Sequence, residues 1–241
     1  LKTQQRKAQP IWKQNLEKAK RNGVLHTIYD VNGDWYSGEW ADDKKHGKGT
    51  QFWKLTGATY SGDWKNGKRH GHGKFGVPNP SGSGLNEQYV GDWAHDKREG
   101  HGIQLYENGE RYDGEWQRGR RHGWGRMLYF DASVYEGEWE DDARSGLGLL
   151  RFANGNRHEG CWRDDKRNGS GIYFFMDTAQ VMQGMWVDDI FRCGTIKDVA
   201  REKAPKPTAL PIPEVALTNP DDVLHNARIA ALSNNSEIKR R

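Results

Sequence analysis

Three histidines, His46, His70 and His122, recur at one position of a repeating pattern, and imidazoles at regular spacing raise the possibility of a metal site. They stand in separate repeats without a cysteine or carboxylate cluster at ligand spacing, so they read as structural and no metal is expected. Paired glycines, Gly47/Gly49, Gly71/Gly73, Gly100/Gly102, Gly123/Gly125, Gly146/Gly148 and Gly169/Gly171, invite a phosphate-loop reading. They lack the third glycine and following helix of a dinucleotide fingerprint. No Walker loop, nucleophile elbow or zinc-protease pair occurs either, so no catalytic residue and no cofactor is expected, and the chain reads as a non-enzyme.

Charge is the other chemistry available. A basic pair follows the tryptophans by four and five residues: Lys44/Lys45, Lys68/Arg69, Lys97/Arg98, Arg120/Arg121 and Lys166/Arg167, with Arg144 alone at one rung. Equal spacing predicts a positive rail along one edge, suited to acidic protein surfaces such as tubulin, to anionic lipid or to phosphates. An acidic residue directly precedes the tryptophans, as Glu39, Asp63, Asp92, Glu115 and Glu138. These should lie on the face opposite the rings and could consume the rail by cross-strand pairing. Rings needed for packing beside compensated charge argue against a nucleic-acid groove.

The elements that position these groups follow from one recurring phrase. YSGEW at Tyr36–Trp40 returns from Tyr60, Tyr89, Tyr112 and Tyr135, then more weakly as HEGCW from His158 and MQGMW from Met182. The tryptophans Trp40, Trp64, Trp93, Trp116, Trp139, Trp162 and Trp186 are spaced 24, 29, 23, 23, 23 and 24 apart, which makes a repeat array. In Tyr-x-Gly-x-Trp the three named residues share one face of a strand. A polar turn, the glycine pair and a second strand complete an antiparallel hairpin. One hairpin is marginal in water, but stacking lets each indole bury about 4–6 kcal/mol of apolar surface. Two strands per copy predict a twisted, elongated sheet about 65 Å long.

Composition agrees. Only 34% of the 241 residues are hydrophobic, yet there are 30 glycines and 11 tryptophans, so aromatic faces and turns must replace a deep core. Net charge is only +4, so any electrostatic role depends on placement rather than amount. Cys161 and Cys193 are too few for a disulfide framework, and no apolar run could span a bilayer. A soluble, reducing, cytoplasmic setting is expected.

The run Tyr36–Gly171 resembles the MORN pattern, roughly YEGEWKNGKRHGKG per unit, six times over. KAKRNG before it, the CGT at Cys193–Thr195 and PTALPIPEV in the tail also resemble a member of that family. The resemblance implies successive β-hairpins in an elongated sheet and relatives that act as scaffolds in radial-spoke heads of cilia, membrane junctions and sperm. No activity travels with the repeat. His158, Cys161, Met182, Met185 and Cys193 depart from the pattern, which puts regular geometry in question in the last two copies.

Three regions follow. Residues 1–28 form a basic capping segment with a short helix carrying Trp12, Leu16 and Ala19 and ending near Gly23. Residues 29–195 form seven consecutive MORN hairpins. Residues 196–241 form a proline-rich strap and a helix from Asn219 to about Leu232. The insertion at residues 77–88 should loop out of the third hairpin. The expected function is a protein-interaction scaffold of the ciliary or sperm-flagellar axoneme or associated cytoskeleton, binding other axonemal proteins or itself. Its groove would be lined by the repeat tyrosines and tryptophans. The alternative is a peripheral binder of anionic membranes through the rail.

Overall fold

In the computed structural model, Glu17, residues 19–79 and residues 84–199 are described. Among the described residues, fifteen strands follow one another in chain order as antiparallel neighbours. The chain divides into two compact units, residues 1–97 and 98–241. The first holds β1 (Gly23–Tyr29), β2 (Trp35–Ala41), β3 (Lys44–Phe52), β4 (Thr59–Lys65), β5 (Lys68–Pro78) and β6 (Leu85–Ala94). The second holds all but the first residue of β7 (Lys97–Leu105), then β8 (Arg111–Gln117), β9 (Arg120–Leu128), β10 (Val134–Glu140) and β11 (Ala143–Arg151). It continues with β12 (Arg157–Arg163), β13 (Lys166–Phe175), β14 (Gln180–Val187) and β15 (Ile190–Asp198).

The all-β hairpin repeat read from the sequence is thus the fold that forms. The tight turns are two residues long, and both adopt left-handed backbone: Asp42/Asp43 (φ 48° and 62°), Asn66/Gly67 (53° and 81°), Asp141/Asp142 (49° and 73°). That geometry matches the strand twist, and Asn, Asp and Gly tolerate it best. Past each turn the first glycine of the pair opens a bulge. Gly71 has φ 60°, and the β4–β5 register shifts between Gly62 and Trp64. Beyond the bulge Gly62 faces Gly73, and a Cβ on Gly62 would stand 2.4 Å from the Gly73 Cα. The Tyr60 ring lies over both, so a Cβ on Gly73 would sit 2.3 Å from its hydroxyl. Glycine is required there because backbone and ring occupy the space a side chain would need.

Three expectations need correction. The sheet begins at Gly23 rather than at residue 29, because residues 23–29 pair with β2 as β1. Gly23 therefore opens a strand instead of closing a helix. Glu17 and Ala19 are helical, whereas Trp12 and Leu16 lie outside the described residues. Much of the 77–88 insertion does not loop out. It lengthens β5 and β6, with Val77 opposite Asn86 and Pro78 opposite Leu85. The Asn79 N–H donates to the Gly84 carbonyl at 3.0 Å near the tip. The strap and helix expected after residue 199 lie outside the described residues.

Candidate functional site

The aromatic residues expected to line a groove form the core. Tyr60, Tyr112 and Tyr135 are 0% exposed, Tyr89 1% and Tyr36 2%, and all seven repeat tryptophans are at most 8% exposed. In the first unit Trp64 stands edge-on between Tyr36 (5.4 Å) and Tyr60 (5.0 Å), and Trp93 between Tyr60 (5.4 Å) and Tyr89 (5.0 Å). In the second, Trp139 stands between Tyr112 (5.5 Å) and Tyr135 (5.2 Å), and Trp162 between Tyr135 (5.4 Å) and His158 (5.4 Å). Edge-to-face contact sets each positive ring edge against a negative ring face.

Their polar ends are also engaged within the sheet. The Trp64, Trp139 and Trp162 indoles donate to the carbonyls of Gly49 (3.0 Å), Gly125 (3.2 Å) and Gly148 (3.2 Å) in the preceding hairpin. The Tyr60, Tyr112 and Tyr135 hydroxyls donate to the carbonyls of Asp63 (3.0 Å), Glu115 (2.9 Å) and Glu138 (3.0 Å), tying down the bulge. Burial pushes the Tyr36 phenol up to about 12, and it raises Tyr60, Tyr112 and Tyr135 further, so these groups remain neutral donors.

The basic rail divides between two faces. Arg69, Arg121, Arg144 and Arg167 lie directly across from tryptophans and so share the aromatic face. Lys45 does the same opposite Trp40, and Arg98 reaches the aromatic face over Trp116 at 4.0 Å. Lys44, Lys68, Lys97, Arg120 and Lys166 are exposed, one residue earlier in their strands. A two-residue period places consecutive residues on opposite faces, so a pair of adjacent cations cannot form one rail.

The pre-tryptophan carboxylates do not neutralise the aromatic-face row. Three fold onto their own bulge, where Glu39 accepts the Lys48 N–H (2.9 Å), Asp63 that of His72 (3.0 Å) and Glu138 that of Leu147 (3.0 Å), while Asp63 and Asp92 also meet Lys48 and His72 of the preceding hairpin. The arginines instead clamp the next hairpin's turn. The Arg144 N–H and Nε donate to Asp165 Oδ1 at 2.9 and 3.0 Å, and Nη2 donates to the Asp165 carbonyl at 2.6 Å. Its guanidinium lies 4.4 Å from the Trp162 ring centre. Arg21–Asp43, Arg69–Asp96, Arg121–Asp142 and Arg167–Asp189 repeat the clamp.

Where the turn carries glycine the clamp changes partner. Lys45, facing Gly67, donates to Gln51, and Arg98 donates to Gln104 at 2.8 Å while keeping the Gly119 turn carbonyl at 2.9 Å. Copies followed by a turn aspartate carry Phe75, Met127, Leu150 or Tyr173 in place of that glutamine. This substitution pattern stands in the sequence and would have revealed the clamp. In a double-mutant cycle, Arg144→Ala and Asp165→Ala should couple by about 1 kcal/mol, above an ordinary exposed pair. Arg144→Lys should lose most of that coupling, since an ammonium cannot reproduce the fork. Full retention by lysine in urea melts would reduce the clamp to simple charge attraction.

The last hairpin replaces tyrosine with Met182. Phe191, missed in the sequence, fills the gap: its ring packs on Trp186 at 4.9 Å and covers the Gly184–Gly194 pair. Among the described residues no group of three or more His, Cys, Asp or Glu side chains could hold a metal ion. No described helix is long and apolar enough to cross a membrane.

Hairpins locked by a Tyr–Trp zipper, glycine bulges and turn clamps define a repeat class. A family model described as MORN repeat matches residues 36–54, 60–77, 89–111, 112–134, 135–157 and 158–178, and the chain belongs to the MORN-repeat family. It is similar to MORN repeat-containing protein 3 of Homo sapiens, with 63% identity over 222 residues covering 92% of each chain. The same-named protein of Mus musculus is 62% identical over 222 residues, again 92% of each chain. That of Xenopus laevis is 50% identical over 223 residues, 92% of this chain and 94% of the relative.

Proposed function

We propose that this chain is a non-enzymatic protein-interaction scaffold of the ciliary or sperm-flagellar axoneme, radial-spoke-like, or of the associated cytoskeleton. One observation carries the reading: the recurring tyrosines, tryptophans and arginines are spent on joining hairpin to hairpin. Such a framework presents its turns, loops and strand edges to partners. The axonemal setting rests on kinship with MORN-repeat proteins. The lipid alternative is weaker because the aromatic-face half of the rail is already engaged inside the sheet and Arg120 pairs with Asp141, leaving Lys44, Lys68, Lys97 and Lys166 for a headgroup.

A tagged chain expressed in ciliated or spermatogenic cells is expected to recover axonemal or cytoskeletal proteins in a pull-down read by mass spectrometry. A shortened form should end at Val199 rather than residue 195, because β15 runs to Asp198 and the Val199 N–H donates to the Ala179 carbonyl. Partners lost with residues 200–241 would use the tail. Recovery of membrane proteins and lipid alone would replace this reading with the lipid one.

A further inference from the structure

The turn clamp lacks its aspartate at two turns, where Gly67 and Gly119 stand instead. Asp43, Asp96, Asp142, Asp165 and Asp189 each receive the N–H of an arginine from the preceding hairpin or N-terminal segment. At the turn Lys65–Lys68 that place belongs to Gly67, so no turn carboxylate receives the N–H of Lys45. A Cβ on Gly67 would meet only the Lys44 Cβ, at 4.0 Å, so there is room for one. Lys45 is half-buried, with its ammonium 5.3 Å from the Tyr36 ring centre and 5.1 Å from that of Trp64. Its ammonium donates to Gln51, and burial lowers its pKa against the opposing pull of Asp30, Asp34 and Asp96.

The exposed charge flanking this turn is positive. Lys44, Lys65 and Lys68 are exposed around the same turn. Nearby acids have other partners: Asp42 pairs with Lys20 (3.4 Å), Asp43 with Arg21 (3.0 Å), Asp63 with Lys48 (2.6 Å) and Asp96 with Arg69 (3.4 Å), while Asp30 and Asp34 accept the N–H groups of Asn32 and Lys54. The other glycine turn differs, because the Arg118 N–H donates to Glu99 (2.8 Å) and Arg120 pairs with Asp141 (3.4 Å).

We infer that the Gly67 turn is a docking point for a carboxylate-rich segment of a partner polypeptide, one of whose acidic side chains fills the place of the missing turn aspartate. The inference rests on the scaffold reading and adds the partner's chemistry. A carboxylate is favoured over a phosphate surface because the chain itself places a carboxylate at five equivalent positions. Lys44, Lys65 and Lys68 then meet the flanking acids and make association dependent on salt.

Binding of hexaglutamate to the full-length chain tests this, followed by tryptophan fluorescence and calorimetry, with thermal melts of every variant. Gly67→Asp should weaken binding about tenfold or more while the melting temperature holds or rises, because the new carboxylate occupies the position from within. Aspartate suits that backbone, as Asp96 at φ 69° shows. Lys44→Ala/Lys65→Ala/Lys68→Ala should also weaken binding and flatten its salt dependence. Equal affinity of Gly67→Asp and the parent chain overturns the inference, as does binding to phosphatidylserine vesicles without binding to hexaglutamate. Axonemal partners recovered by a chain that does not bind hexaglutamate would remove this docking point and leave the scaffold standing.

Discussion

Trp139→Ala should destabilise the second unit by about 3–5 kcal/mol and release the hairpins on either side of it. The indole is 3% exposed and stands edge-on to Tyr112 and Tyr135, with the Arg121 guanidinium 4.3 Å from its ring centre. Its N–H holds the Gly125 carbonyl, so truncation opens a cavity and removes a hydrogen bond together. Energy in a repeat array is shared between neighbours, and the damage should therefore be local. Hydrogen exchange should rise across β8–β11 and much less in β14–β15. Unchanged protection in β8–β11 would mean that the zipper does not hold these hairpins together.

The second large effect depends on pH. His158 occupies the position that tyrosine holds in the five earlier copies, and it is 0% exposed between Trp162 at 5.4 Å and Trp186 at 4.9 Å. Neither ring nitrogen has a hydrogen-bond partner. Burial pushes its pKa down from 6.5 to about 4, with Arg167 acting in the same direction and Asp189 against it. Between these values the unfolded chain takes up a proton that the folded chain excludes. Stability is therefore full above about 6.5 and falls as pH drops towards 4, by roughly 3 kcal/mol at most.

His158→Tyr should abolish that dependence and supply a hydroxyl for the bulge carbonyl, as Tyr135 does for Glu138 at 3.0 Å. The variant should gain more over the parent at pH 5 than at pH 7.5 in paired urea melts. Equal gains at both pH values would show that His158 does not titrate with unfolding. The same residue then explains why the zipper remains continuous where its consensus lapses: an imidazole still presents an aromatic edge and face to both tryptophans.

The legible part of the fold was the part written in periodicity. Tyrosine, glycine and tryptophan two apart must share a strand face, and seven indoles at near-constant spacing leave packing on neighbours as their route out of water. Strand pairing and the sharing of one face by the rings followed from those residues. The insertion at 77–88 misled because prolines and glycines mark turns, whereas Pro78 sits at the end of β5, where its missing N–H costs little. β1 was overlooked because GVLHTIY carries no tryptophan to mark it as part of the array.

The sequence by itself determined that this is a hairpin repeat, which face packs, and where the copies begin, because a two-residue period and a repeat period are properties of the chain alone. Only the tertiary structure decided where the charges go. A bulge of left-handed glycine draws Glu39, Asp63 and Glu138 onto backbone N–H groups of their own hairpins, and strand alternation splits each basic pair between faces. Side chains that look like a binding rail in one dimension become clamps when the next hairpin brings its turn aspartate within 3 Å.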